Sequence, residues 1–220
     1  MLTADFFHRD AQVVARALLG KVLRHKVNDC WLAARIIETE AYYLKEKGSH
    51  SSLGFTEKRK AMFMPAGTIY MYYARGRDSL NISARGEGNA VLIKSGYPYI
   101  DKLSPQQSIA LMQKLNPGAH GAARPMNKLC CGQTLLCASL GLKVTDWNQQ
   151  QFDADKFYVE DAGLKPNRII QTTRMGIPPG RDEHLMYRFI DYGFARFCTS
   201  NPLTRRGWHV GKQYQIIRSR

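Results

Sequence analysis

The sequence predicts a mixed α/β fold of the α+β kind: a single domain over residues 1–220, with a mainly antiparallel sheet, a protruding β-hairpin and helices packed around them. The β-rich runs are joined by tight turns, not by helical crossovers, which favours antiparallel pairing. Helix start and stop signals occur singly between the strands, which sets helices around a sheet instead of alternating them with it. No internal repeat, linker or low-complexity segment divides the chain.

Asp10 to Gly20 reads as a helix, with Asp10 as N-cap, Val13, Val14, Ala17 and Leu18 as its apolar stripe and Gly20 as its stop. Lys21 to Val27 and Cys30 to Tyr42 are β-rich runs joined by Asn28-Asp29, a two-residue hairpin link. Leu44 to Arg59 is polar and reads as a loop. Gly67 to Ala74 and Ser79 to Ser83 form a second hairpin around the turn Arg75-Gly-Arg-Asp78, and Ala90 to Ser95 is a further strand. Ser104-Pro-Gln-Gln107 opens a helix: Ser is the N-cap, Pro takes the first helical position and Gln closes a capping box. Its buried face is Ile109, Met112 and Leu115, and Asn116-Pro-Gly ends it. A Gly/Ala/Pro loop from His120 to Asn127 precedes a cysteine-bearing helix that ends at Gly141, with Cys130 and Cys137 two turns apart on one apolar face. Phe157 to Glu160 and Arg168 to Thr173 are strands, and the chain after Arg174 is basic and aromatic.

Thirty-two Lys and Arg against eighteen Asp and Glu leave a net charge of +14. That suits a polyanionic partner and fast association with it, although charge alone also fits a membrane surface or a ribosomal setting. The amino terminus has no basic stretch leading into an apolar core, and no run approaches the roughly 18 apolar residues of a membrane span. The expectation is a cytoplasmic protein, associated with the nucleoid if the source is bacterial, with no membrane contact. Five cysteines, an odd number without repeating spacing, argue against a disulfide framework. Lacking a Cys-x-x-Cys pair or a neighbouring His, they read as core residues instead of zinc ligands. The His-x-Glu and Pro-Cys-x-x-Cys signature of zinc base deaminases is absent too. No metal and no other cofactor is expected.

Between Arg35 and Asn81 the chain assembles a carboxylate, aromatic planes and a basic hairpin tip, the grouping needed to take a base out of DNA and hydrolyse its bond to the sugar. Residues two apart share a strand face, so Glu40 is expected to project with Glu38, Ile36, Ala34 and Leu32, and with Tyr42. An acid at the end of an apolar row is partly desolvated, which makes its carboxylate a better base. Strand periodicity does not choose between Glu38 and Glu40.

Arg35-Ile-Ile-Glu-Thr-Glu-Ala-Tyr42 and Gly67-Thr-Ile-Tyr-Met-Tyr-Tyr-Ala-Arg-Gly-Arg-Asp-Ser-Leu-Asn81 carry a specific resemblance. The chain resembles the alkyladenine (3-methyladenine, methylpurine) DNA glycosylases from Phe6 to about Phe197, most strongly between Arg35 and Lys94. The resemblance implies a monofunctional, monomeric glycosylase of base excision repair. Such an enzyme flips alkylated purines of the 3-methyladenine and 7-methylguanine type out of double-stranded DNA and hydrolyses the N-glycosidic bond. It implies that Glu40 activates the attacking water, that Tyr42 stacks on the extruded base, and that His50 and Tyr72 form the facing wall. Asn81 then tests the base edge. Leu92 and Lys94 share one strand face toward the pocket, with Lys94 standing where the family usually has an Arg that helps hold the water. A purine alkylated at N3 or N7 is a cation, so aromatic faces attract it by about 1 kcal/mol per good contact, and little acid assistance is needed.

Besides Lys94, two features depart from the family. Its wedge Tyr at the hairpin tip aligns with Arg75 in a tip one residue shorter, with Tyr73 as the other candidate wedge; Arg77 and Arg59 are expected on the same DNA-facing surface. Arg174-Met-Gly-Ile and Arg188-Phe match the family, but Gly193-Phe-Ala replaces its Gly-Ser-Pro. The altered tip and Lys94 speak for the rival expectation, a catalytically weak nucleic-acid-binding protein that keeps the fold and the basic surface.

Overall fold

The computed structural model describes residues 1–218. Helices α1 (Ala4–Phe7) and α2 (Ala11–Leu18) lead into strands β1 (Val22–Val27) and β2 (Cys30–Tyr42). Two 3-10 helices, His50–Leu53 and Glu57–Phe63, occupy what the sequence presents as a polar loop, and β3 (Ile69–Ala74), β4 (Arg77–Ser83) and β5 (Ala90–Pro98) follow. The remainder comprises α3 (Ser108–Leu115), α4 (Gln133–Leu140), α5 (Val144–Trp147), β6 (Phe157–Glu160), β7 (Arg168–Thr172), β8 (Arg188–Asp191) and β9 (Tyr214–Arg218). The described strands form one open nine-stranded sheet in the order β3-β4-β5-β2-β8-β7-β9, with β1 pairing β2 and β6. The pairings are antiparallel throughout, so the fold is α+β as expected.

Strand β2 is the spine. Its thirteen residues accommodate three partners: β1 along the first half, β8 along the second, and β5 on the opposite edge. Both predicted hairpins form through left-handed two-residue turns, Asn28 and Asp29 (φ 47° and 60°) and Arg75 and Gly76 (φ 52° and 76°). Such turns match the twist of the strands they join. The second turn is therefore tighter than the sequence reading, and Arg77 and Asp78 already belong to β4.

The main core lies between one sheet face and α2, α3 and α4. Asp10 caps α2, accepting from the amides of Gln12 (2.9 Å) and Val13 (3.3 Å). The stripe it starts is Ala11, Val14, Ala15 and Leu18, an i, i+3, i+4, i+7 set; Val13 faces solvent and Ala17 lies at the margin, which corrects the predicted stripe. The capping box at Ser104 does not form. The Ser104 hydroxyl instead accepts from Arg24 Nη1 (2.9 Å), whose buried guanidinium is also held by Asp101 and Glu160, and α3 begins only at Ser108. Leu115, at the last turn of α3, is exposed. Cys130 and Cys137 are both buried in the main core, but Cys130 precedes α4, so they share no helix face.

The largest departure lies in β2. The register with β5 runs from Ile36–Gly96 to Glu38–Ser95 to Thr39–Ile93, skipping Ile37 on one strand and Lys94 on the other. Each skipped residue is a bulge, and side-chain alternation reverses across it. Leu32, Ala34 and Ile36 face the main core before the bulge; after it Ala41 does, and Thr39 Oγ1 donates to the Ala15 carbonyl of α2 at 2.8 Å. Glu38, Glu40 and Tyr42 consequently do not share the face of Ile36, contrary to the period-two expectation. Ile37 enters a second core with Ile170, Ile190 and Cys198.

Gly20 makes the connection from α2 to the sheet possible. It has φ 88°, and a Cβ there would lie 2.3 Å from the Leu164 carbonyl oxygen. Gly20→Ala is therefore expected to destabilise by more than about 1 kcal/mol, lowering the thermal midpoint by at least about 2–4 °C. A melt superimposable on wild type would show that the junction tolerates a side chain.

Candidate active site

The face that β2 turns away from the helices carries two glutamates of different chemistry. Glu38 is fully buried with both oxygens occupied. Oε1 accepts from Arg188 Nε (2.7 Å) and Thr199 Oγ1 (2.7 Å), and Oε2 from Ser95 Oγ (2.5 Å) and the Thr199 amide (3.0 Å). Burial by itself raises a carboxyl pKa, but Arg188 and these donors more than offset it, so Glu38 is held below the ordinary carboxylate value. Glu40 is equally buried and far less engaged. Its Oε2 accepts from the Tyr42 hydroxyl (2.7 Å), while Oε1 has no hydrogen-bond donor in the protein and faces Lys94 Nζ at 3.5 Å. The geometry thus separates a saturated structural acid from one with a free acceptor.

The bulge that redirects β2 also aims Lys94, which leaves the β5 ladder next to Glu40. Leu92 pairs across Glu40 on one side and across Asn81 on the other, tying the acid to the β3–β4 hairpin. Above them opens a cleft of about 990 Å³, bordered by the hairpin, the His50 loop, the start of α4 and the segment 175–178. Tyr42, His50, Tyr72, Asn81, Leu92 and Lys94 all line it, so the expected pocket residues come together in space. Tyr70 and Tyr72 stack at 5.7 Å, and His50 meets Tyr72 edge to face at 4.4 Å with Nδ1 3.2 Å from the Tyr70 hydroxyl. Partial burial against these rings and the charge of Arg59 lower the His50 pKa, leaving it a neutral imidazole at pH 7. Burial and the neighbouring Glu40 charge push the Tyr42 phenol well up, so it donates to Glu40 as a neutral hydroxyl. Asn81 is nearly buried, its amide donating to the Tyr70 carbonyl at 3.3 Å.

At the rim, Tyr73, Arg75 and Arg77 all border the cleft. Tyr73 is 57% exposed and alternates to the hairpin face opposite Tyr72, whereas Arg75 forms the turn itself. Arg59, in the 3-10 helix Glu57–Phe63, donates to the Gly54 carbonyl and does not itself line the cleft. Four contributors escape a reading by strand periodicity. Ser95 and Thr199 saturate Glu38, and Glu46 binds Arg174 Nη1 through Oε2 at 2.5 Å. Arg174, buried, also donates to the Ala41 carbonyl and lies 4.5 Å over the Tyr42 ring, supporting it from behind. Arg174 and Arg188 are singled out in the sequence only through family resemblance. Gly193 is the second residue of a 3-10 helix, Tyr192–Phe197, that packs on the second core, and Thr199 lines the cleft. Among the described residues no three His, Cys, Asp or Glu side chains group as metal ligands, and no helix is long and apolar enough to cross a membrane.

The sequence profile of methylpurine-DNA glycosylases matches residues 5–194. The chain belongs to the methylpurine-DNA glycosylase family. With it the chain joins the hydrolases that cleave N-glycosidic bonds in DNA. A relative from Pseudomonas savastanoi is 66% identical over 98% of this chain and 96% of its own length. One from Pseudomonas aeruginosa PAO1 is 60% identical over 98% and 90%, and one from Anaeromyxobacter is 33% identical over 80% of each. All three are provisionally named 3-methyladenine DNA glycosylases.

In this glycosylase Glu38→Gln would leave Arg188 buried beside a neutral amide, a loss of about 3–5 kcal/mol and of at least about 6 °C in the thermal midpoint. Because the native Glu38 pKa lies below its ordinary value of 4.5, its stabilisation is present above that pH and is lost as pH falls through the lower native value. The variant should therefore show a shallower acid-unfolding limb, measured by circular dichroism across pH. Equal limbs would mean that Glu38 titrates alike in both states.

Proposed function

We propose that this glycosylase removes alkylated purines of the 3-methyladenine and 7-methylguanine type from double-stranded DNA, with Glu40 as the base that activates water. The observation that carries the reading is the fully buried Glu40, with Oε2 held by Tyr42, Oε1 free of protein donors and 3.5 Å from Lys94; Glu40 itself does not line the aromatic cleft but lies behind Tyr42, Leu92 and Lys94, which do. A flipped purine would enter between Tyr42 and the His50–Tyr72 wall, with Asn81 against its edge. The cationic base is attracted to the ring faces, and a neutral His50 adds no opposing charge. Glu40 then takes a proton from water as the water oxygen bonds to C1′ of the sugar. The C1′–N bond breaks, and its electron pair leaves with the purine, now neutral. Lys94 orients the water and steadies charge, its Nζ directed at the Glu40 carboxylate instead of at an electrophile. Arg75 at the tip is the favoured wedge over Tyr73, because it occupies the turn while Tyr73 projects from the other hairpin face.

Glu40→Gln is expected to reduce excision at least about 100-fold while binding lesion DNA as tightly as wild type, with abasic sites read as alkali-sensitive strand breaks in methylated duplex. Lys94→Arg should retain activity within about tenfold, and borohydride added during turnover should trap no protein–DNA adduct. An adduct that disappears in Lys94→Arg would replace water attack by amine attack.

His50 gives the reading a pH signature. Protonation through its lowered pKa would set an imidazolium against the cationic purine, so single-turnover excision should decline only as pH falls below the ordinary imidazole value of 6.5. His50→Gln should flatten that part of the profile. If its profile parallels wild type, His50 does not face the base.

A further inference from the structure

Beside the cleft, residues 53–58 form an uninterrupted exposed run, Leu-Gly-Phe-Thr-Glu-Lys. Its apex presents two large apolar side chains to solvent, Leu53 at 67% and Phe55 at 57% exposure. Leu53 also lines the cleft, as do Tyr73, Ala74 and Arg75 of the hairpin tip. The apex is braced. Ser49 caps the short helix that leads into it, the Gly54 amide donates to the Ser51 carbonyl (2.9 Å), Arg59 donates to the Gly54 carbonyl, and Phe55 rests edge to face on Phe63 at 5.6 Å. Gly54 turns the chain at φ 80° with open space around it. Two apolar side chains are thus held outward in a fixed geometry, where exposure is unfavourable unless a partner covers them.

Charge and position identify that partner. After Thr56 and Glu57, which pairs with Lys60 at 3.7 Å, the apex is followed by Lys58, Arg59 and Lys60; the whole chain carries +14, and Leu53 belongs to the lining of the cleft that would take the extruded base. Apolar wedges flanked by basic residues are the means by which proteins pack against base steps and hold a distorted duplex. We propose that the Leu53-Gly54-Phe55 apex is a second DNA-contacting element, whose apolar side chains pack against the duplex beside the flipped nucleotide. It supplies the apolar surface that an arginine at the hairpin tip lacks, so the wedge is divided between Arg75 and Leu53 with Phe55. This rests on the proposed glycosylase reading.

The two halves of such a wedge differ in salt dependence, because apolar contacts release no counterions while each phosphate contact does. Binding of a fluorescent duplex carrying one 7-methylguanine is measured from 50 to 200 mM salt, using proteins that also carry Glu40→Gln so that no turnover intervenes. Leu53→Ser with Phe55→Ser is expected to weaken binding about 10-fold or more at every salt concentration, leaving the slope of log K against log salt unchanged. Lys58→Ala is expected to lower that slope by about one. Leu53→Ser alone, at a largely exposed position outside the cores, serves as the variant that folds as wild type and should show at least a threefold loss. Undiminished affinity in both serine variants, or a loss that appears only as a reduced slope, would overturn the proposal. Alkali-sensitive cleavage of methylated DNA by unmodified protein is run in parallel: its absence refutes the glycosylase reading itself, while cleavage combined with undiminished serine-variant affinity refutes only the role of the apex.

Discussion

Because β2 and β5 each insert one residue where they pair, Ile37 and Lys94, side-chain alternation reverses in the middle of the sheet's longest strand. The first half of β2 can then line the helix-covered core with Leu32, Ala34 and Ile36, while its second half delivers Glu38, Glu40 and Tyr42 to the opposite face. Without the shift, both acids would point at α2, where Thr39 and Ala41 now pack. Two buried carboxylates among aliphatic side chains would be prohibitive unless paired. The matching bulge on β5 brings a lysine to the same place, so one irregularity supplies both members of the Glu40–Lys94 pair.

Adjacent acids on one strand would repel and share their protons were they not made different. Arg188, Ser95 and Thr199 use every acceptor of Glu38, turning it into a tie between β2, β5, β8 and the segment after β8. Glu40, two positions on, is left with a single hydroxyl donor and a lysine. Arg174 plays a comparable supporting part behind Tyr42, joining Glu46 and the β2 backbone to the ring that faces the cleft. The buried guanidiniums of Arg174 and Arg188 are therefore matched by the buried carboxylates of Glu46 and Glu38, and the positive excess of the chain suits a polyanion.

The cleft itself balances attraction against repulsion. Its walls are aromatic and its histidine is kept neutral by the surrounding rings and by Arg59, while the cations Arg75 and Arg77 stand at the rim. For the proposed substrate, a cationic purine on an anionic backbone, this is a consistent partition: π faces where the base would sit, positive charge where phosphate would pass.

Local signals in the sequence determined much of this protein. The left-handed turn residues Asn28-Asp29 and Arg75-Gly76, the Asp10 cap, the stop at Gly141 and the β-rich runs all translate into the observed elements, because each depends on a few neighbouring residues. The family match located the cleft residues, and the structure gathers them. Tertiary structure alone decided the rest. Ser104 lost its capping role because Arg24, eighty positions away, required its hydroxyl. Periodicity could not rank Glu38 against Glu40, because the ranking depends on Arg188, 150 positions away, and on a register shift set by the packing of two sheet faces. A period of two fixes which residues share a face only while the ladder is regular, and whether it is regular is settled by partners that the local sequence does not contain.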